Sequence, residues 1–171
     1  MSAVLKRAPR LVAMREADLA EVLAIENAIY THPWTRGNFA DSLRANYQCW
    51  TWRGGSELLG YFVLLVAAGE GHLLNLSVAA ACQRRGHGSA LLAEAMRMAR
   101  GRGAQHVFLE VRPSNSGAKA LYSRFGFRHG EAICGGRHRL PRGACSVPSA
   151  TRQRCARPRA CLGAVVSLGR S

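Results

Sequence analysis

The stretch that most constrains this chain is Gln83-Arg84-Arg85-Gly86-His87-Gly88, set between two segments of different character. Before it lies an apolar run of strand type, Leu73-Leu74-Asn75-Leu76-Ser77-Val78. After it, Ser89 to Arg100 repeats apolar residues at helical spacing. A strand, a basic loop carrying glycines and a helix N-terminus together suit an anion of the diphosphate kind. Glycine lets the backbone come close, the first N–H groups of the helix and its dipole face the anion, and arginines add charge. The spacing excludes two commoner phosphate loops. A Walker loop needs Lys-Ser/Thr after its last glycine, where this chain has Ser89-Ala90. A dinucleotide fingerprint needs a third glycine at position 91, which is Leu91. The plain alternative is a basic turn that only caps a helix.

At 171 residues the chain has the length of one domain with a proper core. Its longest apolar run, Leu58 to Ala68, is too short for a bilayer, which takes roughly 20 residues. Lys6, Arg7 and Arg10 are followed by no apolar leader core or small-residue cleavage site, so the expectation is a cytoplasmic protein without membrane contact.

Charge is distributed unevenly. Residues 1–131 hold 16 Lys/Arg and all 10 Asp/Glu, a net of +6, while residues 132–171 hold 8 Arg and no acid, completing the total of +14. Those last residues also contain Cys134, Cys145, Cys155 and Cys161, four of the six cysteines. No C-x-x-C pair occurs among them, so the expectation is no metal site and reduced thiols. The chain therefore divides into a domain over 1–131 and a basic, Arg/Cys-rich tail over 132–171.

Hydrophobic periodicity predicts a short strand at Arg10 to Met14 and a helix capped by Asp18 and running to about Ile29, with Leu19, Val22, Leu23 and Ile29 on its stripe. His32-Pro33-Trp34 interrupts it, and Thr35 caps a second helix to about Ala45. Tyr47 to Arg53, Leu58 to Ala67 and the run ending at Val78 read as a strand meander. The loop and its helix follow, then a strand at His106 to Val111, a helix at Ser116 to Arg124 and a further strand after Gly126-Phe127. A meander followed by alternating helices and strands predicts an α/β domain with a mixed central sheet flanked by helices.

Glu110 stands in an otherwise apolar strand, where a carboxylate is solvated, paired or functional. Asn115 and Tyr122, seven apart, fall on nearly the same face of the short helix, and a tyrosine there is equally suited to packing. At this point a resemblance becomes specific. Asn75-Leu76-Ser77-Val78, the 83–92 segment, Leu109-Glu110-Val111-Arg112-Pro113-Ser114-Asn115 and Ala120-Leu121-Tyr122-Ser123-Arg124-Phe125-Gly126-Phe127 occur in the order and spacing of the GCN5-related N-acetyltransferases. With His32-Pro33-Trp34-Thr35 and Phe39, the chain most resembles the RimI branch, the bacterial ribosomal-protein alanine N-acetyltransferases, over residues 10–129.

The resemblance implies acetyl-coenzyme A as co-substrate and a ribosomal protein N-terminus as acceptor. It implies that the backbone of Leu76, Ser77 and Val78 pairs with the pantetheine arm, and that Arg84, Arg85, Gly86, His87, Gly88 and Ser89 cradle the pyrophosphate. Asn115 then contacts the coenzyme, Glu110 is the general base and Tyr122 the general acid. An α-amine with a pKa near 7.7–8.0 must lose a proton before attack. A carboxylate with a reference value of about 4.3 is a weak base and needs local desolvation. Cys49 and Cys82 lie outside the matched positions and receive no nucleophilic role.

After Phe127 the resemblance stops. Cys134-Gly135-Gly136-Arg137-His138-Arg139-Leu140 opens an Arg/Cys/Pro/Ser mixture, and only Leu162 to Leu168 again reads as a strand. Three readings stay open for this tail: a disordered cationic extension, a shifted reading frame, or an arm touching RNA or the ribosome. Rival functions are an acetyltransferase for another protein N-terminus, a lysine or a small amine, and a basic RNA- or ribosome-binding protein without catalysis.

Overall fold

The computed structural model describes residues 8–129 and 162–168. The boundary drawn at 131/132 and the three readings of the tail over 132–161 lie outside those residues. Eleven elements are described: β1 (Arg10–Ala13), α1 (Leu19–Ile29), α2 (Arg36–Arg44), β2 (Gln48–Gly54), β3 (Glu57–Ala67), β4 (Glu70–Val78), α3 (His87–Gly101), β5 (His106–Val111), α4 (Ser116–Arg124), β6 (Arg128–His129) and β7 (Leu162–Ser167). Short 3-10 turns at Glu16–Asp18 and Ala80–Cys82 join them. The chain forms two compact units. The first comprises the described residues up to Phe108 with Ser167 and Leu168, the second those from Leu109 to Val166.

In the first unit the strands run in the order β1-β2-β3-β4-β5; β2, β3 and β4 are the predicted meander, antiparallel throughout, and β1 adds antiparallel to β2. β3 is its centre. Residues Leu58 to Leu64 are all buried, because helices cover both faces. On one face α1 and α2 contribute Leu19, Val22 and Phe39 to a cluster with Tyr61 and Val63 of β3, and Phe39 meets Tyr61 edge to face at 5.6 Å. On the other, α3 turns Leu91, Leu92, Ala95, Met98 and Ala99 inward. Gly60 allows that approach. A Cβ there would lie 2.5 Å from the Ser77 carbonyl oxygen and 2.9 Å from Leu91 Cδ1, so any side chain would drive β3 away from β4 and α3.

Local chemistry explains where the first helices begin. Thr35 caps α2 as expected: its Oγ1 accepts from the Asn38 N–H at 3.3 Å, and Asn38 Oδ1 accepts from the Thr35 N–H at 2.8 Å. Asp18 stands at the expected cap position of α1, but its side chain is used elsewhere. It accepts from the Arg15 N–H at 2.7 Å and from Arg53 of β2 at 2.7 Å, closing the preceding 3-10 turn and tying it to the sheet.

The second unit holds the end of β5, then α4, β6 and β7, with sheet order β5-β7-β6. β7 is the strand predicted at 162–168, and it pairs antiparallel with β6, Arg128 opposite Val165. Along β5, Val107, Leu109 and Val111 are buried while His106 and Glu110 are exposed, the alternation of a strand with one covered face.

Candidate functional site

The predicted residues fall in both units. Leu76, Ser77, Val78 and Arg84 to Ser89 belong to the first; Glu110, Asn115 and Tyr122 belong to the second.

The loop of the first unit has the features an anion site needs. Helix α3 begins at His87, two residues earlier than its apolar spacing suggested, because Gly86 is the cap. Gly86 has φ 87, a left-handed conformation in which any L side chain is strained, and Gly88 passes into the first turn without breaking it. The first intrahelical bond runs from the Ala90 N–H to the Gly86 oxygen at 3.1 Å. The N–H groups of His87, Gly88 and Ser89 therefore have no acceptor within the helix, and no side chain caps them at Gly86. They lie at the positive end of a 15-residue helix. Arg84 and Arg85 are exposed and bonded to no acid among the described residues, and Arg84 itself has φ 63.

Two side-chain bonds fix the loop, and neither was readable from the spacing. Gln83 Nε2–H donates to the Val78 carbonyl at 3.0 Å, folding the loop back onto the end of β4. The Trp52 indole N–H donates to His87 Nδ1 at 3.3 Å, which leaves the proton of the neutral ring on Nε2. Trp52 was read only as part of a strand.

On β4, Ser77 is buried and its hydroxyl bonds to Tyr30 and Asn75, so that side chain is held within the fold. Cys49 and Cys82 are buried too, and burial pushes the Cys49 thiol up to about 12, which keeps it protonated and a poor nucleophile.

In the second unit Glu110 is exposed on the outward face of β5. Asn115 is the N-cap of α4, its Oδ1 accepting from the Ala118 N–H at 3.0 Å. Tyr122 is 8% exposed, with its ring 5.7 Å from that of Phe127.

The largest surprise is Glu26 of α1. The residue is 2% exposed, and its carboxylate accepts from the Trp34 backbone N–H at 2.9 Å, from Asn75 Nδ2 at 3.2 Å and from the Tyr61 hydroxyl. Burial, and after it the charge and bond of Glu26, push the Tyr61 phenol far above its ordinary 10.0, so it stays protonated and donates. A signal existed: Glu26 interrupts the apolar stripe of Leu19, Val22 and Ile29.

An antiparallel meander, a left-handed glycine cap and an open helix N-terminus beside two exposed arginines make a surface suited to an anionic group. Residues 19–127 match the acetyltransferase (GNAT) family, and the chain belongs to that family. It is similar to the ribosomal protein bS18-alanine N-acetyltransferase of Escherichia coli (strain K12), with 31% identity over 114 residues, 67% of this chain and 77% of the relative. The solved ribosomal-protein-S18-alanine N-acetyltransferase from Escherichia coli has a TM-score of 0.74 at 22% identity, covering 96% of each chain. The paia N-acetyltransferase from Thermoplasma acidophilum, solved in complex with coenzyme A, has a TM-score of 0.71 at 14% identity, covering 94% of this chain and 99% of that one. At those identities the likeness establishes the fold, which is the expected mixed α/β sheet flanked by helices. Among the described residues no helix is long and apolar enough to cross a membrane.

Proposed function

We propose that this chain transfers the acetyl group of acetyl-coenzyme A to the α-amine of an N-terminal alanine on a small-subunit ribosomal protein. The observation that carries the reading is the start of α3, where Gly86 presents the N–H groups of His87, Gly88 and Ser89 beside two exposed arginines. That arrangement suits the diphosphate of the carrier. The name of the Escherichia coli relative supplies the acceptor.

The roles follow the matched positions. Arg84 and Arg85 add charge to the backbone cradle, and the backbone of Leu76, Ser77 and Val78 binds the arm as an added strand would. Asn115 contacts the coenzyme. Glu110 takes the proton that the α-amine must lose, directly or through water. The amine nitrogen then bonds to the acetyl carbon, giving a tetrahedral oxyanion that a backbone N–H near Val78 steadies. The nitrogen gives up its second proton to water, collapse breaks the carbon–sulfur bond, and Tyr122 gives its proton to the departing thiolate and regains one from solvent. No acetyl-enzyme forms.

The test is incubation of the full chain with acetyl-coenzyme A and peptides beginning with alanine, serine or methionine, or carrying an internal lysine. Thiol release and mass shift are followed. The alanine peptide should gain one acetyl group fastest; acetylation of the lysine peptide alone would replace the acceptor assigned here. Tyr122→Phe should lower kcat on the order of 100-fold while leaving coenzyme affinity within about two-fold. Wild-type turnover in that variant would remove Tyr122 as the acid.

A further inference from the structure

Glu26 is an expensive residue for its place. It lies on the face of α1 that packs against the sheet, and no cation pairs with it among the described residues. A carboxylate removed from water is tolerated only when donors replace its hydration, and three neutral donors do so here. An all-apolar cluster of similar volume is often as stable or more so. The cluster therefore needs an explanation beyond holding the fold together, and its bonds supply one.

They continue past Glu26 in one direction. Ser77 Oγ–H donates to Asn75 Oδ1 at 3.2 Å, and Asn75 in turn donates to Glu26. With the single Ser77 proton so used, the 3.0 Å bond to Tyr30 has the phenol as donor. A single carboxylate thus anchors the turn after α1 at both ends: at Tyr30 through Asn75 and Ser77, and at Trp34 directly. Aligned bonds of this kind polarise and stiffen one another.

The position of that anchored turn is informative once the acetyl-transfer reading is adopted, and the inference rests on it. With the diphosphate on Arg84 to Ser89, the arm runs back along β4 away from the loop. Its acyl end then lies beside Ser77 and Asn75, the latter three residues and about 10 Å before Val78. We propose that Glu26 is a positioning residue which, through Asn75 and Ser77, fixes Tyr30 and the 30–34 turn at the acyl end of the coenzyme strand, forming the wall that orients the acceptor amine.

The experiment uses the full chain, acetyl-coenzyme A and an alanine-starting peptide. It measures peptide kcat/KM, the Kd of coenzyme A by calorimetry and Tm. Tyr30→Phe and Ser77→Ala should each lower peptide kcat/KM about ten-fold, the equivalent of one hydrogen bond, with coenzyme A affinity within about two-fold of wild type. The double variant should be no worse than the weaker single, because both remove the same bond. Glu26→Gln still offers oxygen to Trp34 and Asn75, and its amide can donate to a rotated Tyr61 hydroxyl. It should keep more than about half of wild-type kcat/KM. Wild-type kcat/KM in both Tyr30→Phe and Ser77→Ala overturns the proposal. So does a loss that strikes Tm and coenzyme A affinity in proportion, the signature of a merely structural contact. A wild-type chain that transfers acetyl to no peptide sinks the acetyl-transfer reading and this inference together; an active wild type with indifferent variants sinks the inference alone.

Discussion

The α3 loop and the Glu26 cluster belong to the same unit and solve opposite electrostatic problems. The loop collects positive character at the surface, from backbone N–H groups and two exposed arginines that no acid among the described residues engages. The cluster holds a negative group in the interior and surrounds it with neutral donors from α1's following turn, β3 and β4. Salt reaches the first and scarcely touches the second. The loop is therefore built to receive a charge from outside, and the cluster to hold the backbone around it still.

Deleting the buried acceptor should have the largest effect. Glu26→Leu leaves the Trp34 N–H, Asn75 amide and Tyr61 hydroxyl without their partner, a cost of about 3 kcal/mol, read as a lowered urea midpoint. A midpoint at or above wild type would show that the donors find other acceptors, and the contrast with the loop would lose its basis.

The second effect is a pH dependence confined to the cluster. The native Tyr61 phenol titrates above its ordinary 10.0, first through burial and then through Glu26, so the unfolded chain ionises earlier than the native one. This contribution to stability is complete below pH 10 and declines as pH rises beyond it, with a slope of about 1.4 kcal/mol per pH unit for one proton. Tyr61→Phe should flatten the alkaline fall by that one proton in urea unfolding from pH 8 to 11. An unchanged slope would mean that the phenol ionises in the native state.

The smallest effect belongs to the loop and should be the one most sensitive to salt. Arg84→Ala together with Arg85→Ala should weaken coenzyme A binding about ten-fold at low ionic strength, shrinking toward two-fold near 1 M salt, where the Debye length is about 3 Å. A loss of equal size at every salt concentration would place the arginines in a buried, specific contact instead.

The same contrast explains how much was legible in the sequence. A meander, a glycine-bearing loop and two short helices depend on neighbours along the chain, so β5 and α4 were read at their observed bounds and Thr35 at its cap. The start of α3 was misplaced because a left-handed cap at Gly86 has no apolar periodicity. Glu110 drew attention as a carboxylate in an apolar strand and proves exposed, while Glu26, on an equally apolar stripe, is the buried one. Burial depends on what packs above a residue, and for Glu26 that partner surface comes from residues 35 and 49 positions away. The bonds made by Gln83 and Trp52 were not legible for the same reason, since they define the loop only after β2, β4 and α3 have assembled.

One feature of the second unit bears on how the molecule is made. β7 is the last of the described strands yet lies between β5 and β6. Those two strands are made before β7, so until it inserts between them β5 has one unpaired edge and β6 has two. This part of the sheet closes only after β7 has been made, and until then it offers strand edges that other nascent chains can join.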